Sequence, residues 1–191
     1  MAEGRALRKK KEVRDLMREF AAGHNPAQEV TFLLQDWSDA YNVGGLLRVA
    51  DGLGIKKLYC TGKTPQLPNP MIPVTSMGAH RRVEMEYHKV HEEAAKAAIE
   101  DGWTLIGVEI AEGAEPHFDF DYPPKTCLVL GAEGAGVFPS VLKHCKGSVF
   151  IPMQGKGRSL NVHVSGAVVA FHVMAESWRA GGTKTSEDQF N

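Results

Sequence analysis

Ile151-Pro152-Met153-Gln154-Gly155-Lys156-Gly157-Arg158-Ser159-Leu160-Asn161-Val162 is the stretch on which the fold turns. It leads from the end of an apolar strand, Ser148 to Ile151, through a flexible basic loop into a helix that opens on Ser-Leu-Asn. Gly155 and Gly157 leave the loop backbone bare, and Lys156 and Arg158 charge it. Ser159 and Asn161 can both cap the helix and aim polar groups at one pocket. Capping accounts for one of them and not for the whole string.

Upstream, Leu130-Gly131-Ala132-Glu133-Gly134-Ala135-Gly136 directly follows the strand Thr126 to Leu130. Glycines there allow positive φ and close approach of backbone to a ligand. The string differs in spacing from the dinucleotide fingerprint and carries a carboxylate at its centre. No Walker Gly-Lys-Ser/Thr exists. A glycine loop with one carboxylate suits a neutral or cationic ligand better than a phosphate; an ordinary strand-to-helix turn is the plainer alternative. Further upstream, Asn42-Val43-Gly44-Gly45-Leu46-Leu47-Arg48 opens a helix over Asn42 to Leu53. Helix amino ends attract anions, and Asn42 is a candidate cap. Arg48 lies about 600° of helix rotation further on, off the face of Asn42. A capped helix with a surface arginine explains the spacing equally well.

Around these strings, strands and helices alternate. Strands are expected at Val30–Leu34, Lys57–Cys60, Val83–Tyr87 and Trp103–Ile110, and helices at 5–21, Glu92–Asp101, Ser140–Cys145 and Asn161–Arg179. Thr64 to Pro73 holds four prolines and reads as loop, at least in part. Continuous apolar strands between helices mean an α/β protein with a mainly parallel sheet. At 191 residues and 43% hydrophobic, one domain is expected. Residues 1–28 form a basic helical extension, 29–180 the main domain, and 181–191 a polar tail.

The net charge of -1 argues against a binder driven by charge alone, yet the distribution is uneven. Residues 42–82 carry six basic groups against Asp51, and residues 84–121 carry eleven acids against Lys89 and Lys96. Either these are differing solvated faces, or the basic segments form a surface for a polyanion. Cys60, Cys127 and Cys145 are far apart and odd in number, which supports neither a disulfide framework nor a zinc site, and no metal ligand set is expected. There is no run long enough to span a bilayer and no secretory signal, so a cytoplasmic protein is expected.

In this order the three strings resemble motifs 1, 2 and 3 of the SpoU/TrmH family in the SPOUT superfamily, S-adenosylmethionine-dependent RNA 2′-O-ribose methyltransferases. Pro70 to Arg81, with Ser76-Met77-Gly78-Ala79, resembles a loop and helix of the small members. The likeness covers about residues 29–178. It implies an α/β fold whose C-terminal segment is knotted as a trefoil, which no periodicity would reveal. It also implies S-adenosylmethionine as cofactor, gripped mainly by main chain. By matching position the cofactor contacts are Glu109, Leu130, Gly131, Ile151, Met153, Ser159 and Leu160. Arg48 matches the catalytic arginine, with Asn42, Glu133, Ser159 and Asn161 in support. Arg48, Lys156, Arg158 and the helical Arg8, Lys9, Lys10 and Lys11 are the expected RNA contacts.

The resemblance further implies a homodimer in which motif 1 of one subunit faces the cofactor of the other. The face Val162, Val169, Val173 of the final helix suits either that contact or an internal core. Structured RNA is the expected partner, tRNA before rRNA. One departure is His163, where the family usually has a small residue; it reaches the pocket or packs on a helix face at an interface. A non-catalytic RNA-binding relative and a nucleotide-binding oxidoreductase are the competing readings.

Overall fold

The computed structural model describes residues 6, 9–24, 26–157 and 159–181. These form two compact units, a larger one over Gln28–Met174 and a smaller one that joins the chain before Gln28 to the chain from Ala175 onward.

In the larger unit every strand of a seven-stranded sheet is parallel. In chain order its elements are β1 (Glu29–Gln35), α2 (Ala40–Gly52), β2 (Lys57–Thr61), α3 (Met71–Ser76), β3 (Glu84–His88), α4 (His91–Glu100), β4 (Thr104–Val108), β5 (Glu115–Pro116), β6 (Lys125–Leu130), α5 (Pro139–Leu142), β7 (Gly147–Phe150) and α6 (Val162–Ala180), which runs on into the smaller unit. The strand order is β3-β2-β1-β6-β4-β7-β5. β1 and β6 are central, and Phe32, Leu33, Leu34, Leu128 and Val129 are fully buried. Each such side chain stabilises the fold by about 1.5–3 kcal/mol. Alternation sends Leu33, Tyr59, Leu105, Cys127 and Val129 to the face packed on Ala94, Ala95 and Ala98 of α4. Leu130 points the other way, toward Leu46 of α2 and the close approach of α6 at Gly166.

Helix and strand boundaries follow the sequence within a few residues, with three differences. Asp39, not Asn42, caps α2 by accepting from Tyr41 N at 2.8 Å. The proline-rich segment holds α3, with Pro70 at its cap and Pro73 in its first turn, where a missing N–H costs nothing. β5 is a two-residue edge strand containing Pro116, too short to leave a period and tolerable only at an edge. Val169 and Val173 are fully buried, which assigns them to the interior of this chain, while Val162 is half-buried.

The smaller unit contains α1 (Lys10–Gly23), which begins later than the helix expected from residue 5 and has no buried residue. Phe20 stacks on His24 and meets Trp178 edge-on. Lys9, Lys10 and Lys11 are exposed; Arg8 lies outside the described residues, as does Arg158 in the other unit.

Candidate active site

A cavity of about 520 Å³ opens beyond the carboxyl ends of β4, β6 and β7, where parallel sheets expose unpaired backbone and loops. Glu109, Leu130, Gly131, Ile151, Met153, Ser159 and Leu160 line it, as do Asn42, Glu133 and Asn161. Arg48 and Lys156 do not.

The glycine loop after β6 is held from several sides. Ala132 and Gly136 bridge through their backbones. Glu109, which lines the cavity as expected of a cofactor contact, also accepts from Val137 N at 2.8 Å and from Ile110 N at 3.0 Å, so its side chain braces the loop. From the end of β1, Gln35 Nε2 donates to Gly136 O and Gln35 Oε1 accepts from Phe138 N. The Trp37 indole donates to Leu130 O at 3.2 Å. Gly136 has φ 67°, and a β-carbon there would stand 2.2 Å from Glu109 Oε2. A β-carbon on Gly131 would fall 2.2 Å from the Gly136 carbonyl carbon and 2.3 Å from Val137 N. Only glycine fits either place.

Asn42 joins the three strings. It is 4% exposed. Its Nδ2 donates to Glu133, whose other oxygen accepts from Ser38 Oγ at 3.3 Å. Its Oδ1 accepts from Asn161 Nδ2 at 3.0 Å and from His163 Nδ1 at 2.9 Å. The Glu133 carboxylate therefore faces the amino end of α2, where the helix dipole favours a negative charge. Burial pulls the His163 imidazole below its ordinary pKa, against the opposite influence of Asp39. His163 is thus part of the network around the cavity, and Gln35, Trp37 and Ser38 are bracing residues that the sequence reading missed. A glutamine ending an apolar strand was the one available signal.

The loop after β7 is different. Asn161 Oδ1 accepts from His163 N at 3.1 Å and caps α6. Ser159 makes no capping bond; its role in the string is to line the cavity. Met153–Gly157 make no hydrogen bond to the described residues.

The basic segments are not all at the cavity. Lys57, at the amino end of β2, bonds Glu86 and Asp101. Arg82 holds Asp51 with two bonds, Lys63 lies 3.5 Å from Asp36, and Lys143 pairs with Glu92. Lys96, Lys143 and His144 together hold the Glu92 carboxyl down at about 2. Each of these four cations thus has a carboxylate partner. Arg48 is exposed and has no hydrogen-bond or ion-pair partner among the described residues. The three cysteines are free; burial lifts Cys60 and Cys145 to about 12.

The sequence pattern of the SpoU rRNA Methylase family matches residues 29–171. The chain belongs to this family. Its similarity to the tRNA (guanosine(18)-2′-O)-methyltransferase of Thermus thermophilus is 31% identity over 80% of this chain and 78% of that one. With the 23S rRNA (guanosine(2553)-2′-O)-methyltransferase RlmP of Bacillus subtilis it shares 24% identity over 80% of this chain and 63% of the relative. The SpoU methyltransferase AviRb of Streptomyces viridochromogenes, solved in complex with AdoMet, superimposes with TM-score 0.71 at 24% identity, covering 84% of this chain and 61% of that one. The fold is the SPOUT α/β knot.

The reaction class of the SpoU family is S-adenosylmethionine-dependent methylation of RNA, and the cavity fits that cofactor. Its volume lies in the range of small-molecule sites. Leu130, Val149, Ile151 and Leu160 supply apolar wall, and Asp39, Glu109 and Glu133 supply carboxylates. No Lys, Arg or His lines it among the described residues. That lining suits a sulfonium and opposes a pyrophosphate, which sets aside the dinucleotide reading. Among the described residues no helix is long and apolar enough to cross a membrane.

Proposed function

We propose that this chain transfers a methyl group from S-adenosylmethionine to the ribose 2′-hydroxyl of a structured RNA, with a tRNA guanosine as target. The observation that carries this reading is a cavity at the strand ends that no Lys, Arg or His lines among the described residues, beside a helix that projects Arg48 with no partner among them. The tRNA substrate rests on the 31% identical relative; guanosine is the nucleotide named for that protein and for RlmP alike.

When bound, the cofactor supplies an electrophilic methyl group. The chain's residues do the rest. Main-chain groups at Gly131, Ile151, Ser159 and Leu160 grip it, the apolar wall encloses it, and the carboxylates favour its positive charge. A neutral hydroxyl is a poor nucleophile and must be oriented and helped to shed its proton. Arg48 presents a planar guanidinium fork that matches phosphate geometry. It holds the adjoining phosphate and stabilises charge developing on the attacking oxygen, while the hydroxyl proton passes to water. Asn42 has both Oδ1 lone pairs occupied, so it fixes Asn161 and Glu133 rather than accepting from the ribose.

Arg48 does not line the cavity of its own chain, and α6 displays Val164, Val168 and Phe171 as an exposed apolar stripe, 37%, 36% and 45% accessible. Both observations favour a homodimer in which Arg48 serves the partner's cavity. Lys156 holds RNA outside the cavity, with Arg158 assigned the same partner; Arg8, Lys9, Lys10 and Lys11 form a basic extension that adds to RNA binding.

The test is labelled methyl transfer to tRNA and rRNA, with nucleoside mapping. 2′-O-methylguanosine in tRNA is expected. Methylation of rRNA alone would move the substrate, and no ribose methylation in either would overturn the reading. Sedimentation should show a dimer. A mixture of Arg48→Ala and Gly131→Val subunits should regain activity that neither has alone.

A further inference from the structure

His163 is bonded to a residue that the reaction uses and is itself outside the cavity. The orientation of its ring follows from its neighbours. The Glu133 carboxylate accepts, so the Asn42 group facing it is Nδ2. The opposite group, Oδ1, can only accept. Asn161 Nδ2 fills one lone pair and His163 Nδ1 the other, so Nδ1 carries the hydrogen. Nε2 is left without a bond among the described residues and is not among their buried unpaired atoms.

The other edge of the ring lies on α2. A β-carbon on Gly45 would come within 2.9 Å of Cδ2 and 3.1 Å of Nε2. Gly45 is three residues after Asn42 and three before Arg48, one helical turn each way. The imidazole thus touches α2 at two successive turns, by hydrogen bond at Asn42 and by packing at Gly45. Arg48 leaves the helix at the next turn. His163 also stands in the first turn of α6, directly after the Asn161 cap. It ties the helix that bears Arg48 to the end of the loop that lines the cavity.

We propose that His163 is a positioning residue for methyl transfer: by donating from Nδ1 to Asn42 and packing on Gly45, it sets the turn of α2 from which Arg48 projects. The proposal rests on the reading of Arg48 given under Proposed function. It assigns the ring no contact with substrate.

The experiment uses the full-length protein. Asn at this position carries an amide N–H near the place of Nδ1; Gln carries its amide near the place of Nε2. His163→Leu should lower kcat about ten- to a hundredfold, the effect of one lost bond to a buried acceptor. Binding of S-adenosylhomocysteine by calorimetry should be unchanged. His163→Asn should recover most of kcat and His163→Gln should not. Gly45→Ala should lower kcat in the same way by wedging the ring off the helix. In protein with ¹⁵N-labelled histidine, the His163 signals should show a protonated Nδ1 and a bare Nε2.

An unchanged kcat in His163→Leu would overturn the proposal. So would rescue by Gln but not Asn, a protonated Nε2 with a bare Nδ1, or loss of S-adenosylhomocysteine binding in step with kcat. If His163→Leu does not fold, the Asn and Gln variants and the nitrogen spectrum decide. If the wild-type protein methylates no RNA, the function reading fails, and the brace is then judged on the spectrum alone.

Discussion

The two loops that close the cavity are built in opposite ways. The loop after β6 is held by Glu109 on one side, Gln35 and Trp37 on another, and its own Ala132–Gly136 bridge. The loop after β7 carries Met153–Gly157 with no hydrogen bond to the described residues. One wall is fixed before any ligand arrives, and the other keeps its backbone donors and acceptors uncommitted. The proposed grip by main chain calls for both: a rigid floor to set position, and free backbone groups to bind. Gly131 and Gly157 therefore serve different ends. The first is glycine because backbone stands where a β-carbon would go; near the second, only the Met153 methyl among the described residues comes within 4 Å of that place.

The largest effect should come from breaking the fixed wall. Gly131→Ala should cost about 1–3 kcal/mol of stability by overpacking and abolish S-adenosylhomocysteine binding, read by denaturant melts and calorimetry. An alanine protein of wild-type stability would show that the loop gives way easily. Next, Glu109→Gln loses one of the two backbone bonds and should cost about 1 kcal/mol, with weaker cofactor binding. Gly155→Ala in the open loop should change stability by no more than about 0.5 kcal/mol, since nothing lies within 4 Å of its β-carbon. The smallest change is expected for Lys156→Ala. Stability and cofactor affinity should hold while RNA affinity falls slightly and its salt slope drops by about one. A matching loss in S-adenosylhomocysteine binding would instead place Lys156 inside the site.

The contrast between the loops also marks what the sequence made legible. Glycines, the Ser-Leu-Asn turn and continuous apolar strands are local signals that led to the right elements, and the family resemblance carried by the three strings supplied most residues of the cavity wall. The braces are not local. Asn42 meets Glu133 across 91 residues, Asn161 across 119 and His163 across 121. A single sequence carries no mark of such pairings. The cap of α2 moved from Asn42 to Asp39 because both residue types cap well, and burial against Glu133 chose between them. The ion pairs within the basic segments were hidden for the same reason. Lys57 and Arg82 meet carboxylates that a charge count along the chain cannot bring to them.

The central claim is that one wall is fixed and the other is completed by the cofactor. Hydrogen exchange read peptide by peptide, with and without S-adenosylhomocysteine, tests it directly. Amides of residues 131–137 should exchange slowly in the free protein and change little on binding. Those of residues 153–157 should exchange fast when free and become protected when the ligand is present. Fast exchange at 131–137 in the free protein, or no new protection at 153–157 on saturation, would contradict the account.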